Sequence, residues 1–142
     1  MEVQALHGAA STTIEGMLAA ATEPDAAFGL LEERLATGNV PGFGHRVYRD
    51  RDPRADHLIG RIATATDEPR AVGAMLEAAT TLGLPAPNVD FALAGLTHVM
   101  GLVPGAASTI FTVARIAGLI AHGLEEYPHR LRFRPRATYV GQ

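Results

Sequence analysis

Apolar residues in this chain recur every three or four positions through one segment after another, and the prolines fall at or between the segment ends. That spacing commits the chain to packed amphipathic helices, because only a 3.6-residue period brings such positions onto one face. Ile14, Met17, Leu18 and Ala21 mark the buried face of a helix over Ala9–Ala21, and Phe28, Leu31 and Leu35 that of a second over Pro24–Thr37, which Gly38-Asn39 stops. Leu58, Ile59 and Ile62 mark a short helix over Arg54–Ala65. Asp67 reads as an N-cap, with Pro69 in the first turn of a helix that runs to about Leu82 and ends at Gly83. Two further helices, Asp90–Leu102 and Ala106–Glu125, are separated by Val103-Pro104-Gly105, while Val40–Pro53 and Gly83–Asn88 are loops. No segment alternates in the manner of a strand before the C-terminal tail. The expected fold class is all-α.

Composition narrows the chemistry. At 142 residues and 47% hydrophobic, the chain has material for one core and is too apolar for disorder. Phe91 to Ala114 carries no formal charge, but His98 and Pro104-Gly105 interrupt it, so two buried helices fit better than a membrane span. A net charge of −3 argues against a general nucleic-acid binder. The absence of cysteine removes disulfides, thiolate nucleophiles, Cys-ligated zinc and iron–sulfur clusters. No signal-like leader precedes the first periodic segment, and the expected compartment is the cytoplasm. All 12 basic residues are arginine. Without lysine, a Walker-type phosphate loop and a Schiff base are impossible here, and anions must be met by guanidinium forks.

Four of those arginines crowd into Gly42-Phe43-Gly44-His45-Arg46-Val47-Tyr48-Arg49-Asp50-Arg51-Asp52-Pro53-Arg54. Glycines allow a ligand to approach the backbone and the arginines supply charge for an anion; a solvated turn of mutually neutralising Asp and Arg has the same composition. His7 is expected at the start of the first helix, where the helix dipole favours a neutral imidazole, though a surface or capping histidine fits too. Asp90, after Pro87-Asn88-Val89, is either an N-cap or a partly desolvated general base. Arg115 in an apolar helix calls for a buried anionic partner, internal or a ligand carboxylate. Arg130, Arg132, Arg134 and Arg136 alternate in the tail and would share one side of an extended segment. Asp52, Asp56 and His57 make a weak metal cluster at best, so no metal is expected; His57, His98 and His129 read as packing or surface residues.

Taken in order, Leu6-His7-Gly8-Ala9-Ala10, Gly42-Phe43-Gly44-His45-Arg46-Val47-Tyr48 with Asp52-Pro53-Arg54, Pro87-Asn88-Val89-Asp90-Phe91, Ala114-Arg115-Ile116-Ala117-Gly118 through Ala121-His122, and Arg134-Pro135-Arg136-Ala137 with Tyr139-Val140-Gly141 resemble the C-terminal part of citrate synthase. The resemblance runs over essentially the whole chain. It implies an all-α citrate synthase-type small helical domain over residues 1–103, with residues 104–142 as the helix and tail that return to the large domain. It implies condensation of acetyl-CoA or propionyl-CoA with oxaloacetate, with no permanently bound cofactor and coenzyme A as co-substrate. By the same resemblance Asp90 takes a proton from the thioester's methyl carbon, His7 donates to the thioester oxygen, and His45 polarises the ketone of oxaloacetate. Arg54 and Arg115 would hold its carboxylates, and Arg134 would do so across a dimer interface. Val40, Gly42, Phe43, Gly44 and Arg49 would hold coenzyme A.

The chain departs from the family in two ways. Gly8-Ala9-Ala10-Ser11 replaces the more usual double glycine followed by Ala-Asn, and the large first segment of the family, with a further oxaloacetate-binding histidine, has no counterpart here. A truncated form with weak or no turnover alone is therefore expected, as a homodimer or with a partner chain supplying the large domain. A non-catalytic coenzyme A-binding or oligomerising remnant and a citryl-CoA-cleaving lyase are the alternatives.

Overall fold

A computed structural model describes residues 3–21, 23–38, 40–65 and 70–127, with the backbone alone for residues 3–9. Every regular element among these residues is a helix: α1 (Val3–Ala20), α2 (Pro24–Ala36), α3 (Pro53–Ala65), α4 (Arg70–Thr81), α5 (Val89–Val99) and α6 (Ala106–Glu126). The all-α expectation holds.

Several helix ends differ from the sequence reading, most by one residue, and three of them have a clear local reason. Helix α1 starts at Val3 rather than Ala9, since a single Gly8 costs a helix only about 1 kcal/mol and does not stop it. Helix α3 starts at Pro53, with Asp52 before it; Asp52 Oδ1 accepts from the Arg54 amide at 3.0 Å, and proline suits the first helical position. Helix α5 ends at Val99, three residues early. There Gly101 takes φ +62°, and the amides of Gly101 and Leu102 turn back onto the carbonyls of His98 and Thr97. The proposed Asp67 cap and Pro69 lie outside the described residues.

Packing divides the chain within α6, into Met1–Phe111 and Thr112–Gln142. In the first unit α1 packs on α5, α2 on α4, and α3 on α5. The core is built from Ile14, Met17 and Leu18 of α1, Leu31 of α2, Val72 and Met75 of α4 and Phe91 of α5. Alanines 71, 74, 78 and 79 keep the α4 face narrow. At Gly95 a Cβ would meet Val72 Cγ2 at 3.3 Å, so the Val72 side chain packs directly against the α5 backbone. Glu15 of α1 then reaches the start of α6, accepting from the Gly105 amide at 2.7 Å, the Ala107 amide at 3.2 Å and the Thr97 hydroxyl at 3.3 Å. This satisfies amides that a helix N-terminus otherwise leaves without carbonyl partners.

In the second unit α6 is exposed, with Val113, Ile116, Leu119, Ile120 and Leu124 all open to solvent. The expectation of two buried helices therefore holds for α5, while among the described residues beyond Phe111 the apolar side chains of α6 are open to solvent. By length and composition alone α6 is long and apolar enough to cross a membrane.

Replacing Glu15 by Ala strips acceptors from two helix-terminal amides and is expected to cost about 1–3 kcal/mol, measured by urea unfolding. Gly29→Ala on α2, where an added Cβ meets nothing within 4 Å, is expected to stabilise by about 0.5–1 kcal/mol.

Candidate active site

The site begins with a glycine that has no substitute. Gly42 is buried with φ +91°, and a Cβ there would sit 3.0 Å from Ile14 Cδ1 and 3.1 Å from Phe91 Cβ. The loop is thus inlaid between α1 and α5. Its backbone pairs with the approach to α5: the Gly44 amide donates to Ala86 O at 2.8 Å, and the Asn88 amide to Gly42 O at 2.8 Å. The Phe43 ring lies 5.2 Å from that of Phe91.

Asn88, not Asp90, is the N-cap of α5. Its Oδ1 accepts from the amides of Asp90 at 3.0 Å and Phe91 at 3.3 Å, while its Nδ2 donates to Gly44 O at 2.9 Å. One amide side chain thereby starts the helix and holds the loop against it. Asp90 is displaced into the first turn, 7% exposed with Oδ1 buried. Of its two sequence readings, the cap is excluded and the withdrawn carboxyl remains.

His45, half-buried, has its tautomer set by the backbone. Nδ1 lies 3.1 Å from both the Val47 and the Tyr48 amides, which can only donate, so Nδ1 accepts and the proton of the neutral ring sits on Nε2. Nε2 in turn lies 3.1 Å from Arg54 Nη2, and a guanidinium also only donates. Two donors therefore face each other, and an acceptor oxygen seated in front of both would satisfy them.

Arg54 is held in that place by Asp52. Asp52, 1% exposed, accepts from Arg54 Nε at 2.9 Å and Arg54 Nη2 at 2.8 Å, and Oδ2 also accepts from the Val89 amide at 3.1 Å. Burial pushes the Asp52 carboxyl up, but the bonds from Arg54 and Val89 together outweigh it and hold the group below the usual carboxylate range. The Arg54 guanidinium is raised, first by its bond to Asp52; the charge of Asp90 acts in the same direction, so Asp90 lies within electrostatic reach. Tyr48 completes the wall, its ring 4.8 Å from that of His45 and 5.1 Å from Arg54 Cζ.

His45, Arg54, Asp90 and the Gly42–Gly44 backbone thus share one corner of the first unit. The alternative of a mutually neutralising turn also describes part of the loop: Arg51 donates to Asp56 at 2.9 and 2.7 Å at the surface, holding the Asp56 carboxyl below its usual range. Arg49 is exposed. Beside Phe43 opens a cavity of about 430 Å³, walled by Ile59, Leu76, Leu84 and Pro85.

Other expectations fare differently. With α1 beginning at Val3, His7 stands a full turn inside the helix, so its amide is not among the dipole-bearing terminal ones and the N-terminal argument for a neutral ring does not apply; its side chain lies outside the described residues. Arg115 belongs to the second unit and is exposed, so the burial that demanded an anionic partner is not present. His57 and His98 are exposed, and His122 pairs with Glu125 at 3.3 Å. Arg134, with Arg130, Arg132, Arg136 and His129, lies outside the described residues. Among the described residues no three His, Asp or Glu side chains are grouped to hold a metal, and Asp52 and Asp56 are each engaged by arginine. Sequence reasoning passed over Asn88, Tyr48 and the acceptor role of Asp52. Asp before Pro and Asn before an apolar helix are both cap signals that could have found two of the three.

Residues 4–136 match the family model for the C-terminal domain of citrate synthase. The chain belongs to the citrate synthase family. It is 37% identical to citrate synthase 2 of Bacillus subtilis, covering 96% of this chain and 38% of that protein. It is 30% identical to 2-methylcitrate synthase 2 of Corynebacterium glutamicum over the same shares. Among solved structures it resembles citrate synthase from Thermotoga maritima (TM-score 0.77, 29% identity, 96% of this chain and 40% of that one). It also resembles the ternary complex of carboxymethyl coenzyme A and oxaloacetate with citrate synthase from Thermoplasma acidophilum (0.71, 25%, 96% and 40%). Citryl-CoA lyase from Hydrogenobacter thermophilus is similar as well (0.69, 25%, 96% and 59%). The chain spans about two-fifths of the length of these curated relatives.

Because Asp52 and Asp56 titrate below their ordinary value in the folded chain, they add stability that is present above about pH 4 and is lost as pH falls through the depressed values. Urea midpoints taken from pH 7 to pH 2 are expected to hold steady to about pH 4.5 and then drop. The Asp52→Asn variant is expected to start lower and to drop less steeply.

Proposed function

We propose that this chain carries the small-domain half of a citrate synthase-type active site, which condenses acetyl-CoA or propionyl-CoA with oxaloacetate to give citrate or 2-methylcitrate and free coenzyme A. The observation that supports this best is the approach of His45 Nε2 and Arg54 Nη2 to 3.1 Å, which sets an imidazole and a guanidinium side by side. A 2-oxo dicarboxylate offers a ketone oxygen for the histidine and a carboxylate for the arginine.

In this reading Asp90 takes a proton from the methyl carbon of the thioester, the enol carbon attacks the ketone carbon of oxaloacetate, and the ketone oxygen gains charge as the C–C bond forms. His45 is placed to meet that charge, and donors aimed at a developing oxyanion are the largest single contribution in reactions of this type. Deprotonating a carbon acid with a carboxylate also needs a donor at the thioester oxygen, a role assigned to His7. Water then cleaves the citryl thioester and releases coenzyme A. Arg115 and Arg134 are assigned to the carboxylates of oxaloacetate, and Arg49 with Val40, Gly42, Phe43 and Gly44 to coenzyme A, whose apolar parts suit the cavity beside Phe43. No permanently bound cofactor is required.

The domain assignment follows. Residues 1–103 form the small domain and residues 104–142 rejoin a large domain, whose surface would take the apolar side of α6. A second copy of the chain or a separate partner chain would supply what completes the site.

Acetyl-CoA and oxaloacetate are expected to bind the 142-residue chain, with oxaloacetate-dependent release of coenzyme A weak or absent until a large domain is supplied. Where turnover is measured, Asp90→Ala is expected to lower it by about 10²–10⁴-fold, the usual contribution of a general base. Calorimetry detecting neither ligand would contradict the assignment. Acetyl-CoA binding alone, insensitive to Asp90→Ala, would favour a non-catalytic remnant, and cleavage of citryl-CoA without condensation would favour a lyase.

A further inference from the structure

Arg54 has more donors than one ligand can use, and the structure shows which of them are already committed. Nε and Nη2 are both taken by Asp52, at 2.9 and 2.8 Å. That leaves the Nη1 side and the outer hydrogen of Nη2, on the edge that faces His45 Nε2. The same Asp52 carboxylate accepts the Val89 amide at 3.1 Å and the Arg54 amide at 3.0 Å. Asp52 therefore joins the first turn of α3, which carries Arg54, to the first turn of α5, which carries Asp90. It is 1% exposed and ranks among the largest fully buried side chains, in a chain where other acids sit mainly at the surface.

We propose that Asp52 is a positioning residue: it dictates which edge of Arg54 meets the substrate carboxylate and holds that arginine in register with Asp90. The proposal rests on the citrate synthase-type reading above for the identity of the substrate, but not for the junction itself. Asp52 touches no reacting atom. Its effect runs through Arg54, by occupying the Nε face so that a carboxylate cannot bind there, and through Val89, by fixing the start of α5. A buried aspartate with a purely structural role would need none of this coincidence; its loss would lower stability and leave ligand recognition by the folded fraction unchanged.

The test uses the whole 142-residue chain labelled with ¹⁵N, alongside Asp52→Asn and, as a control on the same loop, Asp56→Asn. In the unsubstituted chain the Arg54 Nε–H is expected to exchange with solvent at least tenfold more slowly than that of exposed Arg49. Asp52→Asn is expected to remove that protection, shift the Val89 and Asp90 amide signals, and weaken oxaloacetate binding about tenfold or more at unchanged circular dichroism. Asp56→Asn is expected to leave all three as they were. Arg54 exchanging as fast as Arg49 in the unsubstituted chain, a reading that needs no variant to fold, would overturn the proposal. So would a folded Asp52→Asn chain that binds oxaloacetate as tightly as before. If the unsubstituted chain binds no oxaloacetate, the proposed reaction falls, while the exchange and amide-shift measurements still decide whether Asp52 couples Arg54 to α5.

Discussion

A helix N-terminus leaves its first amides without carbonyl partners, and at α5 the side chains that satisfy them also hold the loop that carries the site. Asn88 takes the Asp90 and Phe91 amides with one end and the Gly44 carbonyl with the other. Asp52 takes the Val89 amide with one oxygen and Arg54 with both. The irregular loop of residues 40–52 has no ladder of its own, so its geometry is borrowed from this one helix end. Gly42 makes the approach possible, since any side chain there would collide with Ile14 and Phe91.

That dependence explains why His45, Arg54 and Asp90, so far apart in sequence, can share a corner. His45 and Arg54 are fixed relative to each other by two backbone amides on the imidazole and a carboxylate on the guanidinium. Asp90 follows because Asp52 and Asn88 both grip the turn that contains it. The wider frame adds a second fixed point, Glu15, which ties α1 to the start of α6 through the Gly105 and Ala107 amides. Neither junction uses apolar burial. Both convert the unsatisfied amides of a helix end into positional information.

Much of this was legible in the sequence, and the gaps have physical causes. Helical period and Pro–Gly punctuation gave six helices with most of their boundaries, because burying an apolar stripe is a local pattern. The motifs pointed to the citrate synthase family, which the match over residues 4–136 shows, and the structure brings His45, Arg54 and Asp90 to one corner. What failed depended on context. The cap alternative for Asp90 failed because Asn88, two residues earlier, also precedes the apolar run and takes the Asp90 and Phe91 amides while holding the Gly44 carbonyl. Arg115 read as buried because its neighbours are apolar, yet apolar neighbours are buried only when something packs on them, and α6 past Phe111 is exposed. His7 read as terminal because the helical period was counted only from Ala9, whereas α1 begins at Val3. Asp52 looked like half of a charged turn, since nothing in a sequence shows that its second oxygen reaches an amide 37 residues later.

The central claim is that the free protein already holds His45 Nδ1 on the Val47 and Tyr48 amides, with Nε2 turned to Arg54 where oxaloacetate is proposed to bind. The most direct measurement is ¹⁵N NMR of the His45 ring and the Arg54 guanidinium during titration with oxaloacetate. The expected result is an unprotonated Nδ1 before and after addition, unchanged Val47 and Tyr48 amides, and joint shifts of His45 Nε2–H and Arg54 as ligand binds. A proton found on Nδ1 in the free protein, or oxaloacetate that shifts other residues and leaves this pair untouched, would contradict it.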